Sequence, residues 1–242
     1  MFSLILGATL SFAILLFTFM QSKAGIATFI NQEGILVVLG GTLTVLVTTS
    51  KFVEIKRLFR LFKHLLFEKK SQKILKEKLL SIVHAIEKGR APEASGNYFL
   101  DRAVGWYSAG LRGEELSNLL IDGARIEIER TYQSANILVN IAKYPPALGM
   151  VGTVFGIIGI FSGLGSTEGQ KMIGANLAVS MSSTLYGLVL ANFVISPISE
   201  LLTQAAQLEE VELSMIVDTI QMISAKESSF FIQEKIELYN AA

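Results

Sequence analysis

Tyr144 to Leu164 reads YPPALGMVGTVFGIIGIFSGL, and no residue in it is charged. It is too apolar for an ordinary soluble helix and too rich in glycine for an ordinary membrane anchor, so its composition has to be explained by what it packs against. Gly149, Gly152, Gly156, Gly159 and Gly163 follow one another at steps of three, four, three and four. On a helix that spacing draws one nearly straight stripe bare of side chains. Glycine weakens a helix in water, but in lipid a small-residue stripe lets neighbouring backbones approach closely, and packing and hydrogen bonds replace the missing hydrophobic drive. The spacing predicts that the stripe is a helix-packing face. Thr153 lies one turn beyond Gly149 and one turn before Gly156, which sets a hydroxyl beside the groove, and Pro146 lies nearly two turns below it.

The whole chain carries the same signature. Its 242 residues are 51% hydrophobic and only 17% charged, with a positive mean hydropathy, the composition of an integral membrane protein. It has no cysteine, which removes disulfides, thiolate catalysis and cysteine-ligated metal. The formal net charge is zero, so the whole-chain charge says nothing of nucleic acid or acidic partners, and no nucleic-acid partner is expected. The distribution of the charges is informative instead.

Phe2 to Met20 is an uncharged run of 19 residues, long enough at about 1.5 Å per residue to cross a hydrocarbon core of roughly 30 Å. It lacks the basic start and cleavage site of a signal peptide and reads as a retained first span. A second span runs from Gly34 to Ser50, and its Gly40-Gly41 pair predicts a close helix crossing. From Lys51 to Lys143 the character changes, for this segment holds seventeen of the 21 Lys and Arg residues. The positive-inside tendency puts it in the cytoplasm, with Lys23 and Lys171 in the two opposite connections and both termini cytoplasmic.

Within that segment, Leu58-Phe59-Leu61-Phe62-Leu65-Leu66 and Ile74-Leu75-Leu79-Leu80-Val83-Ile86 recur between basic residues at helical spacing. Lys88 to Pro92 breaks the pattern. Tyr98 to Ala109 reads as a further helix, and Gly113 to Ala142 as one or two more. A short outer connection is expected over Ser166 to Ile173, then a fourth span over Gly174 to Ile198, where Ser180, Thr184, Gly187 and Ala191 repeat the small-residue spacing. Beyond Pro197, apolar positions alternate with Glu200, Glu209, Glu210, Glu212 and Asp218 as an amphipathic helix. No strand alternation or dinucleotide loop is present. The reading is an all-α membrane protein: four transmembrane helices, a helical cytoplasmic insert between the second and third, and a cytoplasmic helical extension of the fourth. Its segments are 1–50, 51–143, 144–199 and 200–242.

The ionisable residues are absent where a pump would place them. Gly34 to Ser50, Tyr144 to Gly165 and Gly174 to Ser199 contain no Asp, Glu, Lys, Arg or His, although a proton relay needs an ionisable group at membrane depth. Thr153, Ser180, Ser182, Ser183 and Thr184 supply hydroxyls instead. Hydroxyls coordinate a sodium ion or hydrogen-bond a carboxyl, but carry no proton alone at neutral pH; in membrane helices they also commonly bond only their own helix or a neighbour. If ions cross here, a partner supplies the carboxylate. Pro146 and Pro197, near the cytoplasmic ends of the third and fourth spans, read as helix ends, bends or hinges. His64 and His84, the only histidines, have no ligand pattern around them, so no metal site is expected, and no catalytic triad or carboxylate pair is present.

The layout of spans and insert, with PPALGMVGTVFGIIG and SSTLYGLVLANFVISPI in the last pair, closely resembles the MotA/PomA flagellar stator subunits of the MotA/TolQ/ExbB superfamily. ExbB and TolQ proteins differ in having three spans, with the large cytoplasmic piece after the first. The resemblance implies a homo-oligomer, a ring of five subunits in the bacterial inner membrane around a dimer of MotB- or PomB-like single-span partners. Each partner brings one membrane aspartate, and flow of H+ or Na+ rotates the ring. No cofactor beyond the transported ion is implied, and no covalent reaction. Carried over by position, Pro146 and Pro197 match the family's conformational prolines, and Thr153, Ser183 and Thr184 its ion-path hydroxyls, a set leaning toward sodium. The glycine stripe is then read as the smooth inner surface on which the ring turns. Lys88 or Arg90, with Glu93, takes the place of the family's charged contacts to the rotor protein FliG. Ala91-Pro92-Glu93-Ala94-Ser95-Gly96 departs from the expected hydrophobic and acidic run there. That departure leaves open a non-flagellar energiser of the ExbB/TolQ or MotA kind. A self-sufficient transporter is the other rival, and the missing intramembrane charges oppose it.

Overall fold

The computed structural model describes residues 6–7, 9–10, 13–14, 16–17, 21, 30–67, 71–92 and 94–239. The first expected span, Phe2 to Met20, falls largely outside the described residues, and Glu93 lies outside them. All regular structure among the described residues is helical: α1 (Gln32–Ile35), a π-helical turn (Leu36–Gly40), α2 (Gly41–Thr49), α3 (Phe52–Phe67), α4 (Ser71–Glu87), α5 (Tyr98–Ser108), α6 (Gly113–Ile141), α7 (Tyr144–Gly163), α8 (Thr167–Val189), a second π-helical turn (Leu190–Ile195), α9 (Ser196–Ser224) and α10 (Ser229–Leu238). Three helical runs among them are long and apolar enough to cross a membrane: Gln32–Thr49, Gly113–Gly163 and Thr167–Ser224. The chain divides into two compact units, the first built from residues 1–60 and 134–203, the second from residues 61–133 and 204–242.

The first unit is organised by the α7–α8 hairpin. α7 starts at Tyr144 with Pro145 and Pro146 in its first turn, where a missing N–H costs no helical hydrogen bond. α8 starts earlier than the sequence pattern suggests. The expected connection over Ser166 to Ile173 is mostly helix, because Ser166 caps α8 at Thr167, its hydroxyl accepting from the Gly169 N–H at 3.0 Å. The polar residues of that first turn hid it from a hydropathy reading. At the other end Pro197 does not stop the helix. Helix resumes at Ser196 and runs to Ser224, and the π turn immediately before it hands the Ser196 N–H to the Ala191 carbonyl five residues back. Proline has no N–H for the carbonyl four residues earlier, and a π turn is a common way to absorb that loss inside a membrane helix. Elsewhere in this unit Ile137, Ile141 and Ile195 form a small apolar cluster with Leu46, Leu58 and Leu190 packed on it.

The second unit has a continuous apolar core. Leu75, Leu79, Ile82 and Val83 of α4 meet Phe99, Leu100 and Ala103 of α5, Leu116 and Leu120 of α6, Ile216 and Ile220 of α9, and Ile232 and Ile236 of α10. Residues 113–141 form one helix, where the sequence left one or two open. The turn after α4 closes with glycine: Gly89 takes φ +63°, its N–H bonds the Ile86 carbonyl at 3.0 Å, and the Arg90 N–H bonds the Ala85 carbonyl at 2.8 Å. This pair of bonds satisfies the carbonyls that a helix end leaves open. The segment leading into α5 is tied down by Asp101. One carboxylate oxygen accepts from the Ser95 N–H at 2.6 Å and the Ser95 hydroxyl at 2.7 Å, the other from the Gly96 N–H at 3.2 Å. Asn97 then caps α5 through the N–H groups of Phe99 and Leu100.

Candidate functional site

The glycine stripe of α7 lies directly on α8. A Cβ at Gly152 would stand 2.5 Å from the Ser183 Cβ, one at Gly149 2.8 Å from the Ser183 carbonyl oxygen, and one at Gly156 2.5 Å from the Asn176 carbonyl oxygen. Gly159 meets the Asn176 side chain, and Gly163 meets the backbone of Gly169. Contact is returned at the base of the hairpin, where Gly187 sits against the Pro145–Pro146 backbone. Backbones this close leave no room for a third helix over Gly149, Gly152 and Gly156, which are buried. The stripe is thus used as a helix-packing face inside the chain.

Close approach brings polar groups of the two helices together. The Thr153 and Thr184 hydroxyl oxygens are 2.6 Å apart. Thr153 also lies 3.0 Å from the Ser180 carbonyl oxygen and 3.1 Å from that of Gly149. Ser180 returns the bond, its hydroxyl donating to the Thr153 carbonyl at 3.1 Å. One threonine proton cannot serve three acceptors, so the cluster is rich in oxygen lone pairs and poor in donors. It suits a hard cation or a protonated carboxyl approaching from outside the chain, and no titratable group belongs to it. Interhelical hydrogen bonds in a membrane contribute roughly 0.6 to 1.7 kcal/mol each, so the cluster also fastens the hairpin.

The structure brings together two of the three hydroxyls singled out from the sequence. Ser183 is not bonded to Thr153 or Thr184. It is fully buried, donates to the Val179 carbonyl at 2.7 Å, and packs under Gly152 and under Gly34, whose Cβ would stand 2.8 Å from its Oγ. Ser180, one of the hydroxyls read in this span but not in the ion-path set, is the serine that bonds Thr153. Its spacing of four from Thr184 was the available signal, since both then face α7. The Gly34–Ser183 contact, and the Asn31 N–H donating to the Tyr186 hydroxyl at 2.7 Å, join α1 to α8 and had no counterpart in the sequence reading. Gly41 packs on Leu148, closing α2 onto α7.

Of the charged residues assigned to a rotor contact, Lys88 and Arg90 are both exposed at the glycine turn after α4. They border an open hollow of about 370 Å³ together with His84 and Pro92.

These features define a class: a helical membrane protein whose paired apolar helices offer hydroxyl and carbonyl oxygens, with no Asp, Glu, Lys, Arg or His over residues 144–165 and 174–199. The chain matches the MotA/TolQ/ExbB proton channel family over residues 70–215, and it belongs to that family. It is 23% identical over 258 aligned residues to "Motility protein A" of Borreliella burgdorferi, covering 96% of this chain and 91% of that protein. With "Chemotaxis protein PomA" of Vibrio alginolyticus it shares 25% identity over 221 residues, 88% of this chain and 85% of that one. Its fold matches a chain of the solved C. jejuni MotAB structure with a TM-score of 0.83 at 18% identity, covering 98% of this chain and 94% of the other.

Proposed function

We propose that this chain is the ring subunit of an ion-driven stator, converting ion flow across the bacterial inner membrane into torque on a flagellar rotor. The observation that carries the reading is the Thr153–Thr184 pair, an oxygen cluster in stretches, 144–165 and 174–199, that hold no Asp, Glu, Lys, Arg or His, in a chain of the proton channel family. Such a site conducts only when a carboxylate is brought to it. A MotB-like single-span partner supplies that group from one membrane aspartate per copy, and five copies of this chain surround a partner dimer. The chain crosses the membrane four times, residues 51–143 form a cytoplasmic insert, and both termini are cytoplasmic. α7 and α8 line the ion path, Pro146 and Pro197 flank it as conformational joints, and Lys88 and Arg90 face the rotor protein FliG. No covalent reaction takes place.

The ion is sodium in this reading, because Thr153, Thr184 and the Ser180 carbonyl together form an oxygen set that suits an alkali cation. The test is motility, or rotation of a tethered reporter, from this chain co-expressed with its single-span partner, in sodium and in sodium-free buffer. Rotation only with sodium establishes a sodium-driven stator. Rotation indifferent to sodium and abolished by a protonophore makes it proton-driven, and no rotation with a folded, assembled complex overturns the stator reading.

A further inference from the structure

α3 carries an exposed apolar face that belongs neither to a spanning helix nor to a core. Phe52 is 77% exposed, Val53 78% and Phe59 67%. Phe52, Lys56 and Phe59 are spaced i, i+4 and i+7, so they form one stripe of alternating aromatic and basic side chains, continued in the sequence by Lys63. Leu58, roughly a third of a turn away, packs against Ile137, Ile141 and Ile195. The helix is therefore held by one face while the aromatic stripe points outward. Lys51 and Lys56 flank it, beside one acidic residue, Glu54. Glu54 is engaged in starting the helix, its carboxylate accepting from the Lys51 N–H at 3.2 Å.

Where this stripe stands follows from its neighbour. Gln32–Thr49 has the length and composition of a membrane span, and 18 helical residues rise about 27 Å, close to the roughly 30 Å of a hydrocarbon core. Thr49 then lies at the edge of that core. Ser50 is extended, at φ −120° and ψ 139°, and α3 begins two residues later. From Thr49 to Phe52 is three residues, which reach at most about 11 Å, so α3 starts within or at the outer edge of the headgroup layer. Aromatic side chains with flanking lysines at that depth match an interfacial helix, whose apolar face sinks to the acyl boundary while its lysines extend to the headgroups.

We propose that α3 is an interfacial anchor, its Phe52, Val53 and Phe59 inserted at the acyl boundary and Lys51 and Lys56 engaging anionic phospholipid headgroups. The anchor rests on the reading of Gln32–Thr49 as a membrane span. It fixes the depth and direction in which the chain leaves the bilayer after α2, and it makes the lipid surface a partner of the segment that follows.

The test uses the full chain reconstituted in phosphatidylglycerol–phosphatidylcholine bilayers. With the single tryptophan removed by Trp106→Phe, one probe is placed by Phe59→Trp and a control probe by Leu43→Trp, at a 61% exposed position on α2. Nitroxide lipids labelled at shallow or deep acyl positions then read depth. The Phe59→Trp probe should be quenched at least twofold more by the shallow label, and the Leu43→Trp probe more by the deep one. If the Leu43→Trp probe escapes quenching, the membrane-span reading fails; if it is quenched and the Phe59→Trp probe is not, only the anchor fails. Blue-shifted, unquenched emission at residue 59 means that protein, such as a second copy, covers the stripe, and red-shifted emission means water; both overturn the proposal. A second measurement leaves Trp106 in place: Lys56→Glu should lower phosphatidylglycerol retained on the purified chain by at least twofold against phosphatidylcholine, and an unchanged ratio overturns the headgroup contact.

Discussion

The hydroxyl oxygens of Thr153 and Thr184 lie 2.6 Å apart on different helices, with the Ser180 carbonyl oxygen 3.0 Å from the first. The distance is a consequence of glycine. Thr153 reaches α8 because Gly149, Gly152 and Gly156 on the same helix add no side chain to hold the backbones apart. A packing device and a polar site are thus one arrangement, and a substitution in either should register in both.

Thr153→Ala removes the central oxygen and leaves Ser180 and Thr184 without that partner. In the stator reading, sodium-dependent rotation should need about tenfold more sodium, the effect of losing a ligand contribution of ~1.4 kcal/mol. Thr153→Ser keeps the oxygen and should stay near wild type. Equal rotation by the alanine variant and wild type across a sodium titration would confine Thr153 to packing.

The glycines give a sharper contrast, since they differ only in what a methyl group would meet. Gly152→Ala drives a Cβ to 2.5 Å from the Ser183 Cβ and Gly156→Ala to 2.5 Å from the Asn176 carbonyl oxygen, whereas Gly174, in α8, has nothing within 4 Å. Overpacking of the first kind costs about 1 to 3 kcal/mol, while Gly174→Ala should be neutral or stabilise by up to about 1 kcal/mol through lost unfolded-chain freedom. Thermal unfolding in detergent ranks the three. Equal midpoints for Gly152→Ala and Gly174→Ala would refute the close approach of α7 and α8.

The stripe was legible in the sequence because a spacing of three and four is a property of one helix, whatever it packs on. What it packs on was not. The spacing alone does not name the partner, and the observed contact of Gly152 with Ser183 supplies one. Ser183 and Thr184 are adjacent, so on a helix they face directions about 100° apart, and a count of hydroxyls does not say which meets Thr153 and which meets Gly152. The start of α8 was lost because Ser166 acts through a backbone N–H, which hydropathy does not register. Pro197 was open in the sequence as an end, a bend or a hinge, and the structure carries helix through it, with the π turn at Leu190–Ile195 just before it.

Asp101 ties the loop before α5, and its protonation should loosen that loop. Burial works to raise its pKa, but the Ser95 N–H, the Ser95 hydroxyl, the Gly96 N–H and nearby Lys78 together outweigh it and hold the carboxyl below the ordinary 3.8. A carboxylate with a depressed folded pKa stabilises above its unfolded value and loses that contribution as pH falls through the folded one. Asp101→Asn should cost about 1 to 2 kcal/mol at pH 7, and the gap from wild type should close below pH 4. A gap of constant size from pH 7 to pH 3, measured by urea unfolding, would rule out the carboxylate as its source.

Tyr239 makes the opposite case at the end of the chain. Its hydroxyl donates to Asp218 at 2.7 Å, and burial, then the Asp218 hydrogen bond and charge, push the phenol up to about 12. A raised phenol pKa means that the folded state favours the protonated ring, so its contribution is complete below the unfolded value near 10 and disappears as pH rises toward about 12. The bond holds the residue after α10 to α9, alongside the buried Ile232 and Ile236 and the 3.0 Å Lys76–Glu237 pair. Tyr239→Phe keeps the ring and loses the hydroxyl, and should lower stability by about 1 to 3 kcal/mol at neutral pH, the range for hydrogen bonds to charged groups. Hydrogen exchange should quicken in residues 229–238 more than in α4 or α5. Between pH 10 and 12 the wild type should lose stability faster than the variant, because only the wild type has this phenol to ionise; parallel alkaline curves would show that the Tyr239–Asp218 bond contributes nothing.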